Sequence, residues 1–210
     1  NFTGYSHGFN FGAAALGVSF GRFMNSVGEE QFPAQLATTL DATNAGPVVG
    51  PVVITEIHYH PPAAAELAGS APGRREESQR LLTSAATEVA TEFIELANLT
   101  GEAIPLFDPA APTNTWRLNG LGFTFPTNVA LPPHGFGLIV ATNPADFRAT
   151  YAVPDDVLVL GPFTGALQDN GERLELQQPG WLDTNGLVYV TVDEVRYDDK
   201  APWPPGADGS

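Results

Sequence analysis

The sequence contains no cysteine. This absence excludes a disulfide framework, a thiolate nucleophile and any metal site built on cysteine sulfur. It does not fix the compartment, because large exported bacterial domains often have no disulfides. The sequence also lacks any apolar run approaching the ~18 residues of a membrane-spanning helix, so it predicts no membrane insertion.

Basic residues are scarce. Lysine and arginine together number 9, against 24 acidic residues, and the formal net charge is -15. A field of this sign repels a phosphate backbone or an anionic membrane surface, so we expect no nucleic-acid partner. Such acidity is more typical of solubility, or of tolerance towards salt and divalent cations, than of a dedicated site.

Apolar and turn-forming residues, in contrast, are abundant. Hydrophobic residues make up 43% of the 210 positions, which is enough for one sandwich-sized core. The 22 glycines and 19 prolines interrupt the chain too often for long helices. This composition favours short strands joined by many turns.

Strand candidates follow one another at short spacing from residue 52 onwards. Several are separated by turn sequences such as PPHG, TNP, QDNG and DTNG, in which Asn and Gly accept positive φ and Pro presets the corner. This arrangement predicts an all-β sandwich. The candidates are 52–60, 91–98, 104–107, 115–118, 122–125, 136–141, 157–160, 172–177, 187–190 and 192–197.

One stretch, 63–90, departs from the strand pattern because it is rich in alanine. It carries Leu81, Leu82 and Ala85 at a spacing that gives a helix a modest apolar stripe. We interpret 63–90 as an insertion between the first two strands, and it forms either a short surface helix or a disordered loop.

The sequence divides into three regions. Residues 1–46 are rich in glycine and then polar, without enough strand alternation to bury a core. Residues 47–51 form a short Pro/Gly linker, and the strand pattern that follows predicts a sandwich over 52–210. Because the chain begins in mid-pattern without Met or a signal peptide, we expect it to be part of a longer protein.

Five segments within 52–210 resemble, in the same order, the lamin-tail domain in its bacterial form. The resemblance implies an immunoglobulin-like β-sandwich, and it implies a module repeated in large exported or surface-attached bacterial proteins. We therefore expect a secreted or cell-surface location. The segments are VVITEIHYHPP, EFIELANLTGEAIPL, WRLNGLGFTFPTNVALPPHGFGLIV, GPFTGALQDNGERLELQ and DEVRYDDKAPWPPGADGS.

Members of that family usually continue past ADGS into a final strand and a polar tail. In this chain GVSFGRF, at residues 17–23, resembles that strand, so the resemblance implies that 1–46 is the end of a preceding copy. A sandwich without its last strand exposes an unpaired edge. We expect 17–23 to act as a donor strand for such an edge, in the same chain or in an identical neighbour.

Glu56, His58 and His60 alternate along the first strand candidate, so their side chains project from one face. Two histidines and one carboxylate are the ligand set of a facial metal site. The alternative is an exposed strand that simply carries polar residues. No HExxH helix accompanies the three residues, which gives metalloprotease chemistry no support.

Asp183, Asp193, Asp198 and Asp199 supply oxygen ligands of the type that calcium prefers. They lack the rest of an EF-hand loop, and the DTNG sequence at Asp183 is also explained by a tight hairpin turn. The sequence predicts no cofactor, with calcium as the one alternative.

Aromatic side chains could stack on the rings of a polysaccharide. Trp116 begins an apolar strand and is predicted to be in the core, while Trp203, in APWPP, is predicted to close one end of the sandwich. Tyr197 is a further candidate for such stacking. Trp181, in the predicted turn PGWLD, is expected to be exposed and to be the first residue to contact a ligand.

No catalytic set stands out in the sequence. His7 and His134 are not near a nucleophile elbow. Glu92 and Glu95 lie three positions apart on a strand, so they point to opposite faces and do not form a glycosidase pair.

We therefore expect a non-catalytic structural or protein-interaction module that contacts neighbouring domains of the same chain or of an identical chain. One alternative is a calcium- or polysaccharide-binding accessory domain of an extracellular enzyme. Another is a metal-dependent enzyme that uses Glu56, His58 and His60.

Overall fold

The computed structural model describes residues 13–24, 28, 30–59, 61 and 91–200. Within them lie fourteen strands and one helix, α1 (Pro144–Tyr151), whose eight residues are too few to cross a membrane. In chain order the strands are β1 (Phe23–Met24), β2 (Glu30–Gln31), β3 (Val52–His58), β4 (Phe93–Asn98), β5 (Ile104–Pro105), β6 (Phe107–Asp108), β7 (Ala111–Thr115), β8 (Arg117–Asn119), β9 (Phe123–Thr124), β10 (Ala130–Leu131), β11 (Phe136–Val140), β12 (Leu158–Leu160), β13 (Glu172–Asp183) and β14 (Gly186–Tyr197).

Two four-stranded sheets form the body of the molecule. The first sheet has the order β12-β11-β4-β3, in which β12 runs parallel to β11 and the other neighbours are antiparallel. The second has the order β14-β13-β8-β9 and is antiparallel throughout. Short two-stranded ribbons pair β1 with β2, β5 with β10 and β6 with β7. The predicted all-β sandwich is confirmed.

The inward faces of the two sheets meet in one hydrophobic core. Ile94 and Leu96 enter it from β4, and Leu118 and Leu174 enter it from the second sheet. Because alternate residues of a strand point to opposite faces, each strand contributes every second side chain. Complete burial of a side chain of this size contributes ~1.5–3 kcal/mol.

Strand β11 is apolar on both of its faces because the helix covers the outer one. Ile139 points into the core, whereas Leu138 and Val140 pack beneath Phe147 of α1. A strand that is buried on both sides needs a continuous apolar run instead of an alternating one. This explains the sequence GLIV in the middle of the first sheet.

Helix α1 was not predicted from the sequence. Asn143 caps it by accepting the Ala145 N–H on Oδ1 at 2.8 Å, and Pro144 occupies the first turn. Ala152, in the left-handed conformation with φ 49°, ends it. Phe147 is its one buried side chain, so its apolar periodicity was too weak to separate the helix from a turn.

Several predicted strands differ in extent from the observed ones. The candidate at 172–177 continues to Asp183, and those at 187–190 and 192–197 form one strand, β14. The candidates at 104–107 and 115–118 are each divided between two short strands. The predicted insertion at 63–90 and Trp203 lie outside the described residues.

The long β13–β14 hairpin contains a tight turn, as DTNG predicted. Asp183 pairs with Gly186, which leaves two residues in the loop. Further along, Leu176 pairs with Asp193 but Gln177 pairs with Thr191, so β14 carries one extra residue at this point. Such a bulge increases the local twist of the hairpin.

Residues 13–49, which we name the amino-terminal segment, lie before the first core residue, Val52. Within this segment Phe23 pairs with Gln31, and Phe20 forms a bridge with Ala34. The structure therefore pairs the stretch 17–23 within its own segment and does not place it in the sandwich of its own chain. Its pairing with an identical neighbour stays a prediction.

Candidate functional site

Glu56 and His58 lie two residues apart on β3, opposite Glu95 and Phe93 of β4, on the outer face of the first sheet. The ring of His58 packs 5.1 Å from that of Phe93, and its buried Nδ1 has no hydrogen-bond partner among the described residues. His60 lies outside the described residues. The metal site that combines the three therefore stays a prediction.

The two aspartates of the β13–β14 hairpin are far apart. Asp183 ends β13 beside the turn, where its Oδ1 accepts the Asn185 N–H at 2.7 Å. Asp193 is seven positions from Gly186, the partner of Asp183, and this corresponds to about 23 Å along the strand. The Oδ2 atom of Asp193 instead accepts the Ile54 N–H at 2.7 Å and ties β14 to β3.

Asp198 and Asp199 follow the end of β14. A hydrogen bond with the Asp199 side chain lowers the pKa of Asp198, and Asp198 Oδ1 also accepts the Lys200 N–H at 3.2 Å. The four aspartates proposed as calcium ligands thus occupy three separate places. In the part of the chain that the structure describes, no three His, Asp or Glu side chains form a group that could hold a metal ion.

Residues 178–190, which we name the hairpin arm, form the part of the β13–β14 hairpin that extends past β8. β8 pairs with β13 only as far as Gln177, so past this point the two long strands pair with each other alone. Trp181 is 46% exposed on the arm, and Leu182 is 73% exposed. The predicted exposure of Trp181 is confirmed, but the residue lies in a strand and not in a turn.

An open cleft of about 400 Å³ lies beside the base of the hairpin arm. Trp116, which is 4% exposed and belongs to the core as predicted, lines it together with Phe107, Ile104 and Pro179. Its lining is largely apolar and rich in proline. A cleft of this kind offers packing surface and few groups that could perform chemistry.

The outer face of the second sheet carries a network of charged side chains. Arg173 forms two hydrogen bonds with Glu194, at 2.5 and 2.6 Å, and lies 3.0 Å from Glu175 Oε1. The hydrogen bond to Glu194 raises the pKa of Arg173. Because Glu175 and Glu194 face each other across the ladder, Arg173 offsets a repulsion between like charges.

Arg117 and Tyr189 continue this face towards the hairpin arm. The Arg117 guanidinium carbon lies 3.8 Å from the centre of the Tyr189 ring, a cation–π contact, and Arg117 Nε donates to Gln177 Oε1 at 2.7 Å. Neither residue was predicted from the sequence to take part in a site. They meet only through the register of three strands, and the sequence pattern carries no signal for that register.

Tyr197 is buried and does not belong to a sugar-binding surface. Burial raises its pKa, and so does a hydrogen bond with Glu172, whose Oε1 lies 2.9 Å from the Tyr197 hydroxyl. The ring packs 4.7 Å from that of Tyr59 inside the core. Tyr197 is therefore part of the core.

Glu92 and Glu95 both serve the fold. Glu92 Oε2 accepts the Leu167 N–H at 2.9 Å, and Glu95 Oε1 accepts the Thr55 hydroxyl at 2.8 Å. One carboxylate therefore anchors a loop and the other supports the β3–β4 pairing.

Comparisons with known proteins found no match for this chain. The chain matches no protein family, no curated protein and no solved structure. The resemblance to the lamin-tail domain therefore stays a prediction.

Proposed function

We propose that this chain is a non-catalytic structural and protein-interaction module of a large exported bacterial protein. It assembles with neighbouring domains, or with identical chains, by adding residues 17–23 to the edge of a sandwich. The observation that carries this proposal is the unburied apolar surface of the amino-terminal segment.

The amino-terminal segment exposes large apolar side chains around the proposed donor strand. Leu16, Val18, Phe23 and Met24 are all exposed. Among the described residues, neither hydrophobic cluster includes a residue before Val52, so the sandwich does not cover these side chains. Apolar surface that remains uncovered in this way is typical of contact with another protein.

The proposed acceptor is β14, an edge strand of the second sheet. Its one ladder partner among the described strands is β13, while neighbouring β3 reaches it through the Asp193 side chain and not through a ladder. An edge strand offers unpaired N–H and C=O groups to any extended segment. Strand addition would satisfy these groups and bury the apolar side chains of 17–23.

Light scattering across a range of protein concentrations tests the proposal. We expect the full chain to form oligomers whose size grows with concentration. Val18→Asp, within the donor strand, is expected to shift assembly to higher concentration, because a charge would have to be buried at the new interface. Leu40→Asp is the matched control, since Leu40 is 86% exposed and lies outside 17–23.

Removal of residues 1–46 gives a second test of the same proposal. We expect the 47–210 chain to remain monomeric. If the full chain is monomeric at every concentration, or if Val18→Asp and Leu40→Asp weaken assembly equally, 17–23 is not a donor strand and the proposed function is wrong.

A polysaccharide-binding accessory domain is the second candidate, and the exposure of Trp181 favours it. An exposed indole next to Leu182 on a protruding arm presents a flat apolar surface to a sugar ring. Titration with soluble polysaccharides should then change the tryptophan fluorescence of the natural chain but not that of Trp181→Phe. No fluorescence change in either protein would remove this candidate.

A further inference from the structure

Three Asn–Gly pairs occur in the sequence: Asn119–Gly120, Asn170–Gly171 and Asn185–Gly186. In such a pair the glycine nitrogen can attack the asparagine Cγ, because glycine has no Cβ to hinder the approach. The new C–N bond closes a succinimide ring, the Cγ–Nδ2 bond breaks and ammonia leaves. Water then opens the ring at either carbonyl, which yields aspartate or isoaspartate.

Asn119 is held by its surroundings on β8. Its Nδ2 donates to Glu175 Oε2 at 2.6 Å, which fixes the orientation of the amide. The next residue is also enclosed, since a Cβ added to Gly120 would lie 3.0 Å from the Arg173 carbonyl oxygen. Attack requires the amide to rotate towards the Gly120 nitrogen, and this hydrogen bond opposes the rotation.

Asn170 is protected by the glycine that follows it. The Gly171 N–H donates to the Gln168 carbonyl at 3.1 Å, so the attacking nitrogen is already engaged. A Cβ added to Gly171 would lie 2.6 Å from Asp198 Cα, which shows how closely the backbone is enclosed. The glycine therefore has little freedom to move towards the Asn170 side chain.

Asn185 lacks the side-chain hydrogen bond that holds Asn119 and the close backbone packing that encloses Gly171, although Gly186 pairs with Asp183 across the turn. It lies in the two-residue turn of the hairpin arm, and both Asn185 and Gly186 are exposed. A Cβ added to Gly186 would have no atom within 4 Å. In the described part of the chain the Asn185 side chain makes no hydrogen bond, and its backbone N–H is held by Asp183 alone. The end of a protruding hairpin also opens more readily than its middle.

We propose that Asn185 is a site of spontaneous modification, converted through a succinimide into aspartate and isoaspartate, whereas the fold protects Asn119 and Asn170. Either product places a second carboxylate beside Asp183. Isoaspartate also lengthens the backbone of the turn by one methylene group. The pairing of Leu182 with Leu187, next to the turn, then loses its register, and the exposed end of the arm changes shape.

Peptide mapping by mass spectrometry tests this proposal on the folded full-length chain during incubation at mildly alkaline pH. Labelling with an isoaspartate-specific methyltransferase distinguishes the two products. We expect Asn185 to react several-fold faster than Asn119 and Asn170. In denaturant the three rates should converge, because each asparagine is followed by the same unhindered glycine.

Two variants sharpen the test. Asn185→Gln should abolish product at this position, since glutamine would have to close a slower six-membered ring. Glu175→Ala, which releases the Asn119 amide, should accelerate the reaction at Asn119 and leave that at Asn185 unchanged. The proposal is overturned if Asn119 or Asn170 matches Asn185 in the folded chain, if the same spread of rates persists in denaturant, or if Glu175→Ala leaves Asn119 unchanged.

Discussion

The amino-terminal segment and the sandwich each contain a buried side-chain amide that holds loops together. In the amino-terminal segment this residue is Gln35, and in the sandwich it is Asn98. Gln35 Nε2 donates to the carbonyls of Gly21 and Pro33, at 3.3 and 3.1 Å, and its Oε1 accepts the Gly46 N–H at 3.1 Å. The amide thus joins three stretches of the amino-terminal segment. No residue of this segment belongs to either described hydrophobic cluster.

Asn98 performs a similar task at the end of β4. Its Nδ2 donates to the carbonyls of Glu102 and Pro132, at 2.7 and 2.8 Å, and its Oδ1 accepts the Thr100 N–H at 2.9 Å. Beneath this amide lies the apolar core that includes Leu96. The comparison teaches that a buried amide can set the geometry of loops in either region, while burial of apolar side chains supplies most of the stability in only one of them.

The largest expected effect on the free energy of unfolding comes from replacing a leucine that is buried in the sandwich, compared with one that is exposed in the amino-terminal segment. Leu96→Ala removes a side chain that is fully buried in the core, and we expect it to lower the free energy of unfolding by about 3 kcal/mol. Leu40→Ala, in the amino-terminal segment, should change it by less than about 0.5 kcal/mol. Urea unfolding followed by circular dichroism measures both. Equal losses would show that the amino-terminal segment shares the core.

The second prediction concerns the amide of the sandwich. Asn98→Ala leaves several buried backbone groups without partners, and we expect it to cost about 2 kcal/mol of unfolding free energy. The same urea titration measures the loss, and Asn185→Ala is the control, because Asn185 is exposed and its side chain makes no hydrogen bond within the described residues. A loss no larger than that of the control would mean that water replaces the Asn98 amide.

A third, smaller effect depends on pH. Tyr197→Phe removes the hydrogen bond to Glu172 and should cost about 1 kcal/mol at neutral pH. The pKa of Tyr197 is raised in the folded chain, so its contribution to stability is complete below its ordinary pKa of 10.0 and is lost as the pH rises above that value. Urea titrations from neutral to alkaline pH should therefore show a shallower alkaline loss in Tyr197→Phe. Identical slopes in the two proteins would contradict the burial of this phenol.

The smallest effect on global stability is expected for the amide of the amino-terminal segment. Gln35→Ala should change the unfolding free energy of the sandwich by less than about 0.5 kcal/mol, because no core contact is lost. It should nevertheless accelerate hydrogen exchange at Gly46 and its neighbours, whose local order depends on Gln35. A large drop in global stability would erase the distinction between the two regions.

Local patterns predicted those parts of the structure that depend on near neighbours in the chain. The turn at DTNG follows from residue types that favour a tight reversal, and the strands near 52–58 and 93–98 follow from their apolar patterns. Helix α1 was missed because Phe147 is its one buried side chain, which leaves no apolar periodicity to recognise. The length of the hairpin was also missed, since PGWLD contains turn residues that a long two-stranded arm tolerates.

The candidate sites were less predictable than the strands. Trp181 was correctly expected to be exposed, although the turn from which that exposure was inferred is part of β13. The separation of Asp183 from Asp193 follows from the ladder register, which the sequence pattern does not specify. The contacts of Arg117 with Tyr189 and Gln177 are set by the same register.

The sequence by itself determined the fold class, the apolar composition of the core and the position of the hairpin turn, because these depend on composition and on contacts between near neighbours. The tertiary structure alone decided which carboxylates are separated, which arginine lies over which ring, and which of three Asn–Gly pairs is least enclosed. The physical reason is that each of these depends on the pairing of strands distant in the chain, where a shift of one residue moves every side chain to the opposite face.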